Sequence, residues 1–492
     1  MAAPSGYSII STHSDSEDSE PLLDRNEAVP PKCCSTRLNL AFLMFLGFAV
    51  VYGLRVNLSV AMVAMVNTSD PSSAKNRSVP QYTWDTETQG WLLGAFFFGY
   101  LCTQIPGGYL AGHYGGSLFL GLGVLGTAAL TLLTPLAAQL GSTWLFALRA
   151  VEGFGEGVTF PAMMAMWARW APPLERSSLM TLSGSGANFG ACLALPLTGL
   201  ICQTMGWPAV FYLCGAGCLW SVFWFMLVSD DPRTHRRISK KEKDYIINSI
   251  GAQVRRGTLT GDFPPMLQMM MSVPLWAMIV TQMCSNWAYY TLLTSLPTYM
   301  DNILHFDLKS VRLNGFLSAL PYLGAFVISV LSGIVADALI EKRVFSVTFV
   351  RKLFTALGLL FPAVFLIAVC YVGCSHALTV TFLTLSTTTG GISSAGVFIN
   401  QIDIAPRSVW PTVWPTVWST SLGRMFSFSV DLLFVSHTLA GWRKVFWVAA
   451  MINIGGALIY TIFGTGKVQS WAITEEDREE EEKEKRDRSI NS

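Results

Sequence analysis

Charge is scarce in this sequence: Asp, Glu, Lys and Arg make up 13% of its 492 residues, against 51% hydrophobic ones. An ordinary soluble domain carries about 25% charged residues, so the composition excludes that class. A disulfide framework is absent too, since the ten cysteines sit mostly inside apolar blocks and none falls in the polar loop 65–88. Residues 1–36 lack the basic start and apolar core of a signal peptide. Rich in Ser, Asp, Glu and Pro, they are expected to be a retained, disordered tail. No nucleophile and base constellation and no metal-ligand spacing stands out, which argues against an enzyme and against a bound metal or cofactor.

What is present is apolar blocks of about 20 residues, the length that crosses a bilayer. They predict an all-α, polytopic membrane protein of about twelve spans. Six fall near 38–64, 89–110, 117–138, 142–164, 178–203 and 208–228, and six near 274–298, 313–337, 352–373, 376–399, 410–438 and 443–465. The expected domains are a tail at 1–37, a bundle at 38–228, a linker at 229–272, a second bundle at 273–466 and a charged tail at 467–492. The linker carries Arg233, His235, Arg236, Arg237, Lys240, Lys241, Lys243, Arg255 and Arg256. By the positive-inside rule it is cytoplasmic, and both termini with it. Beside a bilayer this basic run carries no nucleic-acid meaning; its mixture of signs fits short surface helices.

Few charges enter the spans, and those few are informative. Arg149, Glu152 and Glu156 are spaced i, i+3, i+7, one face of a helix. A charge at the bilayer centre costs about 2.5–3.5 kcal/mol or more, so this face must look into a bundle or a watery cavity. Two carboxylates for one arginine leave one to titrate or to pair elsewhere. Arg55, in the first span, offers a planar fork of donors to a carboxylate. It is a candidate for a substrate's anionic group and, equally, a partner for Glu152 or Glu156 across the bundle.

Outside the spans, Asp18-Ser-Glu-Pro-Leu22-Leu23 has the form of an acidic dileucine sorting signal, read by clathrin adaptor proteins and directing cargo to endosomes and lysosomes. Cys33-Cys34 lies where palmitoylation occurs. Asn67 and Asn76 are usable glycosylation acceptors in a loop facing the lumen or exterior, whereas Asn57-Leu-Ser59 has the pattern but lies in a span.

Two internal matches point to duplication. Gly99, Gly108 and Ala111 recur as Gly324, Gly333 and Ala336, and the start of the sixth span at Trp207 recurs as Trp442 in the twelfth. Such repeats imply two bundles related by an axis along the membrane normal, with a site between them near mid-depth.

The run Gly107-Gly108-Tyr-Leu-Ala111-Gly-His-Tyr-Gly115-Gly116 resembles the loop signature of the major facilitator superfamily. Glu152-Gly-Phe-Gly-Glu156-Gly-Val-Thr-Phe-Pro161, then Trp167 to Ser177, resembles its anion:cation symporter branch, which includes vesicular glutamate and phosphate/urate transporters. Thr103 to Tyr109, Leu296 to Met300, Leu320 to Gly324 and Ile402 to Pro406 extend the likeness over most of the chain. The resemblance implies a lysosomal symporter that moves small organic anions with protons, foremost sialic acid and other acidic sugars. Vesicular uptake of glutamate or aspartate driven by membrane potential is the alternative transport reading, with synaptic vesicle or plasma membrane as further locations. A non-transporting scaffold is the reading from another class.

Carried over position by position, it implies Arg55 for the substrate carboxylate and Glu152 with Glu156 for proton coupling. Arg149 would complete the substrate-binding set by orienting that pair, and Asn286, Trp287 and Tyr290 would line the cavity. The chain departs from the branch in two places. Met164 stands where a histidine is common, and after Pro406 the expected Gly-rich span is replaced by the repeat Val-Trp-Pro-Thr, with Pro411, Pro415 and Asp431. That segment, 407–440, reads as a divergent exon or an error of the gene model, and its prolines interrupt a helix start.

Replacing Leu22 and Leu23 together by alanine is expected to move the protein to the cell surface, as measured by surface biotinylation. An unchanged intracellular distribution would remove the dileucine reading.

Overall fold

The computed structural model describes residues 35–66, 81–254, 266–302, 311–372, 376–404 and 439–472. Asp18, Leu22, Leu23, Cys33, Cys34, Asn67, Asn76, Pro411, Pro415 and Asp431, with the span expected at 410–438, lie outside the described residues.

The first half holds α1 (Thr36–Val66), α2 (Thr86–Tyr114), α3 (Gly116–Thr131), α4 (Thr134–Leu140), α5 (Ser142–Glu156), α6 (Thr159–Trp170), α7 (Arg176–Thr204), α8 (Trp207–Cys214) and α9 (Gly217–Leu227). In the connecting segment lie α10 (Lys240–Val254) and α11 (Met266–Met270). The second half holds α12 (Val273–Asn302), α13 (Val311–Glu341), α14 (Val347–Tyr371), α15 (His376–Gly390), α16 (Val397–Ile404) and α17 (Leu439–Phe463), with a 3-10 turn at Gly391–Ala395. Among the described residues no strand occurs.

Seven described spans are long and apolar enough to cross a membrane, and α3 with α4 makes an eighth, bent by 47°. Pro135, in the first turn of α4, lacks the N–H that would continue the ladder from α3, which accounts for the break in the span expected at 117–138. The expected spans 89–110, 142–164 and 274–298 are also helical, as α2, α5 with α6, and α12. Polar residues facing inward dilute their apolar runs. Large apolar side chains such as Phe42, Trp144, Phe154, Leu219 and Leu458 point outward, as a lipid-facing surface requires.

Small residues let the helices close up. A Cβ on Gly153 of α5 would strike the Phe96 carbonyl of α2, and one on Gly99 of α2 would strike the Ala150 carbonyl of α5. The turn between α2 and α3 rests on Gly115, whose φ of 113° is open to glycine and strained for other residues. There Asp230 accepts from the Ser117 N–H at 2.6 Å and covers the start of α3.

The duplicated positions match in burial: Ala111 and Ala336 are both 0% exposed, and Trp207 and Trp442 both 2%. Between the halves, α10 docks instead of hanging free, with Tyr245, Ile246 and Ile250 in an apolar cluster that draws on both halves. Glu242 of α10 accepts from the N–H groups of Thr36 and Arg37 at 3.0 and 3.1 Å, and the buried Arg37 Nε donates to Glu175 at 2.7 Å. At the far end, the Gln469 N–H donates to the Ile404 carbonyl at 3.0 Å and Trp471 is buried, so residues 467–472 pack on the bundle.

Gly153→Ala is expected to destabilise the protein by about 1–3 kcal/mol through overpacking. Gly126→Ala, where a Cβ meets nothing within 4 Å, is expected to be neutral or slightly stabilising. Thermal unfolding in detergent separates the two.

Candidate functional site

The helical spacing read from the sequence places Leu145, Arg149, Glu152 and Glu156 on one buried stripe of α5. Arg149 Nη1 donates to Glu152 Oε2 at 2.6 Å, and the Thr134 hydroxyl donates to Glu152 Oε1 at 3.2 Å. Glu156 takes a different partner, the Nη2 of Arg55 on α1. Arg149 Nη2 reaches the Arg55 carbonyl at 3.4 Å and joins the two pairs into one chain of neutral total charge. Both carboxylates are fully buried, and Arg55 and Arg149 are 7% and 2% exposed. Removing one partner of such a pair costs about 3–5 kcal/mol, because the other charge is left desolvated.

Aromatic rings complete the surroundings of Arg55. Its guanidinium lies 4.6 Å from the Tyr52 ring, 5.0 Å from Tyr100 and 5.1 Å from Phe96, within cation–π range. Its Nη1 also donates to the Tyr290 hydroxyl of α12 at 3.4 Å. Tyr290 and Tyr52 share a hydrogen bond at 2.9 Å, which ties the two halves together beside the ion pair.

Below these tyrosines lies a cavity of about 210 Å³ between the halves, walled in part by Tyr52, Tyr100, Gln104 and Met164 from the first half and Gln282, Asn286, Tyr290, Gln401 and Asn453 from the second. Its size suits one small solute. The wall is uncharged and largely apolar, with amide and hydroxyl groups set into it: Arg55 stands behind Tyr52, Tyr100 and Tyr290, and Arg149, Glu152 and Glu156 are likewise off the wall. Full desolvation accounts for this, since each guanidinium is held by a carboxylate within the first half.

Two sets of contacts between the halves bound the cavity. On the tyrosine side, the Tyr289 hydroxyl donates to Asn188 Oδ1 at 3.0 Å. On the side nearer Arg37, Asp403 accepts from Arg176 at 3.1 Å and from Arg351 at 2.7 Å. Arg351 also donates to the Ser177 hydroxyl at 2.9 Å. Asp337 accepts from the N–H groups of Ser177 and Ser178 at 3.1 and 2.6 Å, at the start of α7. This end is therefore latched by ion pairs, and the other by tyrosine hydroxyls with one long contact from Arg55.

Of the residues expected to line the cavity, Asn286 and Tyr290 do so, and Trp287 does not. Trp287 is 4% exposed and sits in an apolar cluster with Ala363, Leu366 and Phe446. It lies about 100° round the helix from Asn286, on the side turned to α14 and α17. The polar face of α12 is Gln282, Ser285, Asn286 and Tyr289, at i, i+3, i+4, i+7. That period is visible in the sequence and identifies Gln282 and Tyr289, which residue type alone passes over. The latch residues Asp337, Arg351 and Asp403 carry no such local signal. Asn57 is 0% exposed and unsuited to glycosylation, as expected within a span.

Two helical halves with a cavity of mixed polarity between them, joined by contacts from one half to the other, have the architecture of a solute transporter. The family model described as Major Facilitator Superfamily matches residues 41–408. Sialin of Homo sapiens is 47% identical over 483 residues, covering 94% of this chain and 96% of that protein. The probable small intestine urate exporter of Homo sapiens is 37% identical, covering 89% and 92%. Among solved structures, the proton:xylose symporter XylE bound to 6-bromo-6-deoxy-D-glucose superposes with a TM-score of 0.63 at 15% identity, over 88% of this chain and 97% of that one. A bacterial homologue of the human lysosomal transporter Spinster, inward-facing and occupied, gives 0.57 at 14% identity, over 86% and 96%. The chain belongs to the major facilitator superfamily, in the branch that holds sialin and the urate and phosphate transporters. It is a multi-pass membrane transporter and not an enzyme.

Asp403→Asn is expected to loosen the charged latch, because one neutral amide cannot hold two buried guanidinium groups. A cavity cysteine introduced as Gly184→Cys is then expected to react several-fold faster with a membrane-impermeant maleimide added from the Arg37 side. An unchanged labelling rate would show the latch to be dispensable.

Proposed function

We propose that this chain is a proton-coupled symporter of organic anions that exports sialic acid and other acidic sugars from lysosomes by alternating access. The observation that carries the reading is the buried pair of Arg55 with Glu156, set directly behind the tyrosines of the cavity wall. One guanidinium faces two claimants, Glu156 and a substrate carboxylate, and a proton decides between them.

The basic linker favours a cytoplasmic Arg37 end and cytoplasmic termini. The Tyr52 and Tyr290 side then faces an acidic lumen. When it opens, Glu156 takes a proton and releases Arg55, whose fork of donors receives the sugar carboxylate. The Arg149 and Glu152 pair stays intact and holds the Arg55 backbone. With the substrate seated the halves rock, the Asp403 latch opens, and Glu156 loses its proton to the neutral cytosol. As Glu156 reclaims Arg55, the sugar acid is expelled. A difference of two pH units is worth about 2.7 kcal/mol per proton, enough for a gradient of about 100-fold. No cofactor enters the cycle, since the proton is the coupling ion, and small organic anions and the bilayer are the partners. The similarity to sialin supports the choice of substrate and of the lysosomal membrane, and the tail signal with adaptor proteins would supply the address.

Glu156→Gln is expected to abolish sialic acid uptake driven by an acidic exterior, in cells bearing the Leu22→Ala and Leu23→Ala protein at their surface. Full proton-dependent uptake by this variant would sink the mechanism. Uptake that follows membrane potential instead of pH, with acidic amino acids as cargo, would favour the vesicular reading.

A further inference from the structure

The groups around the cavity differ in what they ask of a ligand. Beside α1 stand the hydroxyls of Tyr52 and Tyr290, one donating to the other so that a single O–H is left to donate, with the Arg55 guanidinium behind them. On the second half two residues of the wall carry amide oxygens that no described donor reaches. Asn453 of α17 is 2% exposed, and its Oδ1 accepts no hydrogen bond from any described residue. Gln282 Oε1 of α12 is likewise buried with no described partner. Both residues line the cavity.

These oxygens are held in place. Thr281, next to Gln282, donates to the Gly456 carbonyl at 3.0 Å, one turn from Asn453, and this clamps α12 to α17. A Cβ on Gly456 would come within 2.9 Å of the Cys284 Cβ, so the helices already touch there. A buried carbonyl oxygen without a donor is costly, and a ligand that supplies O–H or N–H groups removes that cost. A carboxylate or an apolar group set there would not.

We infer that Gln282 and Asn453 determine specificity by reading the hydroxyl-bearing tail of the substrate, while its carboxylate lies at the Arg55 end. The inference rests on the sugar-acid reading above and deepens it. It assigns the substrate a donor-rich end separate from its anionic end, which a sugar acid with a polyol side chain has and inorganic phosphate lacks. The polarity of the wall thus fixes the direction in which the substrate lies across the halves.

The test uses the full chain at the cell surface, with labelled sialic acid as tracer. Two unlabelled competitors are compared: intact sialic acid, and the same acid with its glycerol tail shortened by periodate cleavage and reduction. For the unmodified chain the shortened acid is expected to compete roughly five- to tenfold more weakly, the worth of one or two hydrogen bonds. In Asn453→Leu and in Gln282→Met, assayed separately, the intact acid is expected to weaken by a similar factor, so that the ratio between competitors falls towards one. Each ratio is internal to one variant, so surface abundance does not enter. A ratio unchanged in both variants would overturn the inference and leave the sugar-acid reading standing. An unmodified chain that takes up no sialic acid at acidic pH would overturn both.

Discussion

The structure depends on one constraint: a charge inside a bilayer must find its opposite. Arg55, Arg149, Glu152 and Glu156 meet it as two ion pairs linked through the Arg55 carbonyl, all within the first half. Both pairs close among α1 and α5, and the Arg149 bond to the Arg55 carbonyl ties these helices together even when Glu156 lets go. Gly99 and Gly153 permit the accompanying close approach of α2 to α5. The first half is thereby a rigid block, and a rigid block is what alternating access needs on each side of a moving site.

Contacts between the halves are built on different terms. Near α1 they are hydroxyl to hydroxyl and hydroxyl to amide, Tyr52 with Tyr290 and Tyr289 with Asn188, plus one long bond of 3.4 Å from Arg55 to the Tyr290 hydroxyl. Each neutral bond is worth about 0.5–1.5 kcal/mol net and can be exchanged for water or substrate. At the Arg37 end they are charge-assisted, with Asp403 between two guanidinium groups and Asp337 on the N–H groups that open α7. Charge-assisted bonds are roughly twice as strong as neutral ones, so the two closures are unequal. That inequality favours opening on the tyrosine side, the side assigned above to the lumen.

Much of this fold was legible in the sequence because the solvent is lipid. A bilayer forces apolar blocks of fixed length, so α1, α7, α14 and α17 fall where apolar runs fall, and charges within them stand out. Arg149 and Glu152 are three residues apart on one helix, and their pairing follows from the helical period. The partner of Glu156 does not, because Arg55 sits 101 residues away and either carboxylate would satisfy it until the first half is assembled. Trp287 misleads for a related reason: a resemblance carries over a stretch, but a face is decided within each turn, and adjacent residues look in different directions. The Asp403 latch is harder still. Its members come from α7, α14 and α16, and nothing in the local pattern of any one of them names the other two.

Coupling by the proposed cycle needs no long path between proton and substrate. Glu156 and the sugar carboxylate compete for the same guanidinium, so their binding is linked through one atom group and the sign of the linkage is fixed by charge. Two anions on one buried cation leave a net negative site, which the desolvated surroundings of Arg55 disfavour. An empty, deprotonated carrier keeps its ion pair, and a loaded carrier has a protonated Glu156 with a new pair. Both states are neutral at Arg55, and both can cross the occluded stage. The mixed states, loaded without a proton or protonated without substrate, leave one charge unpaired and are held back. In the proposed cycle symport follows from that exclusion, and the Arg149 and Glu152 pair serves it by staying closed throughout.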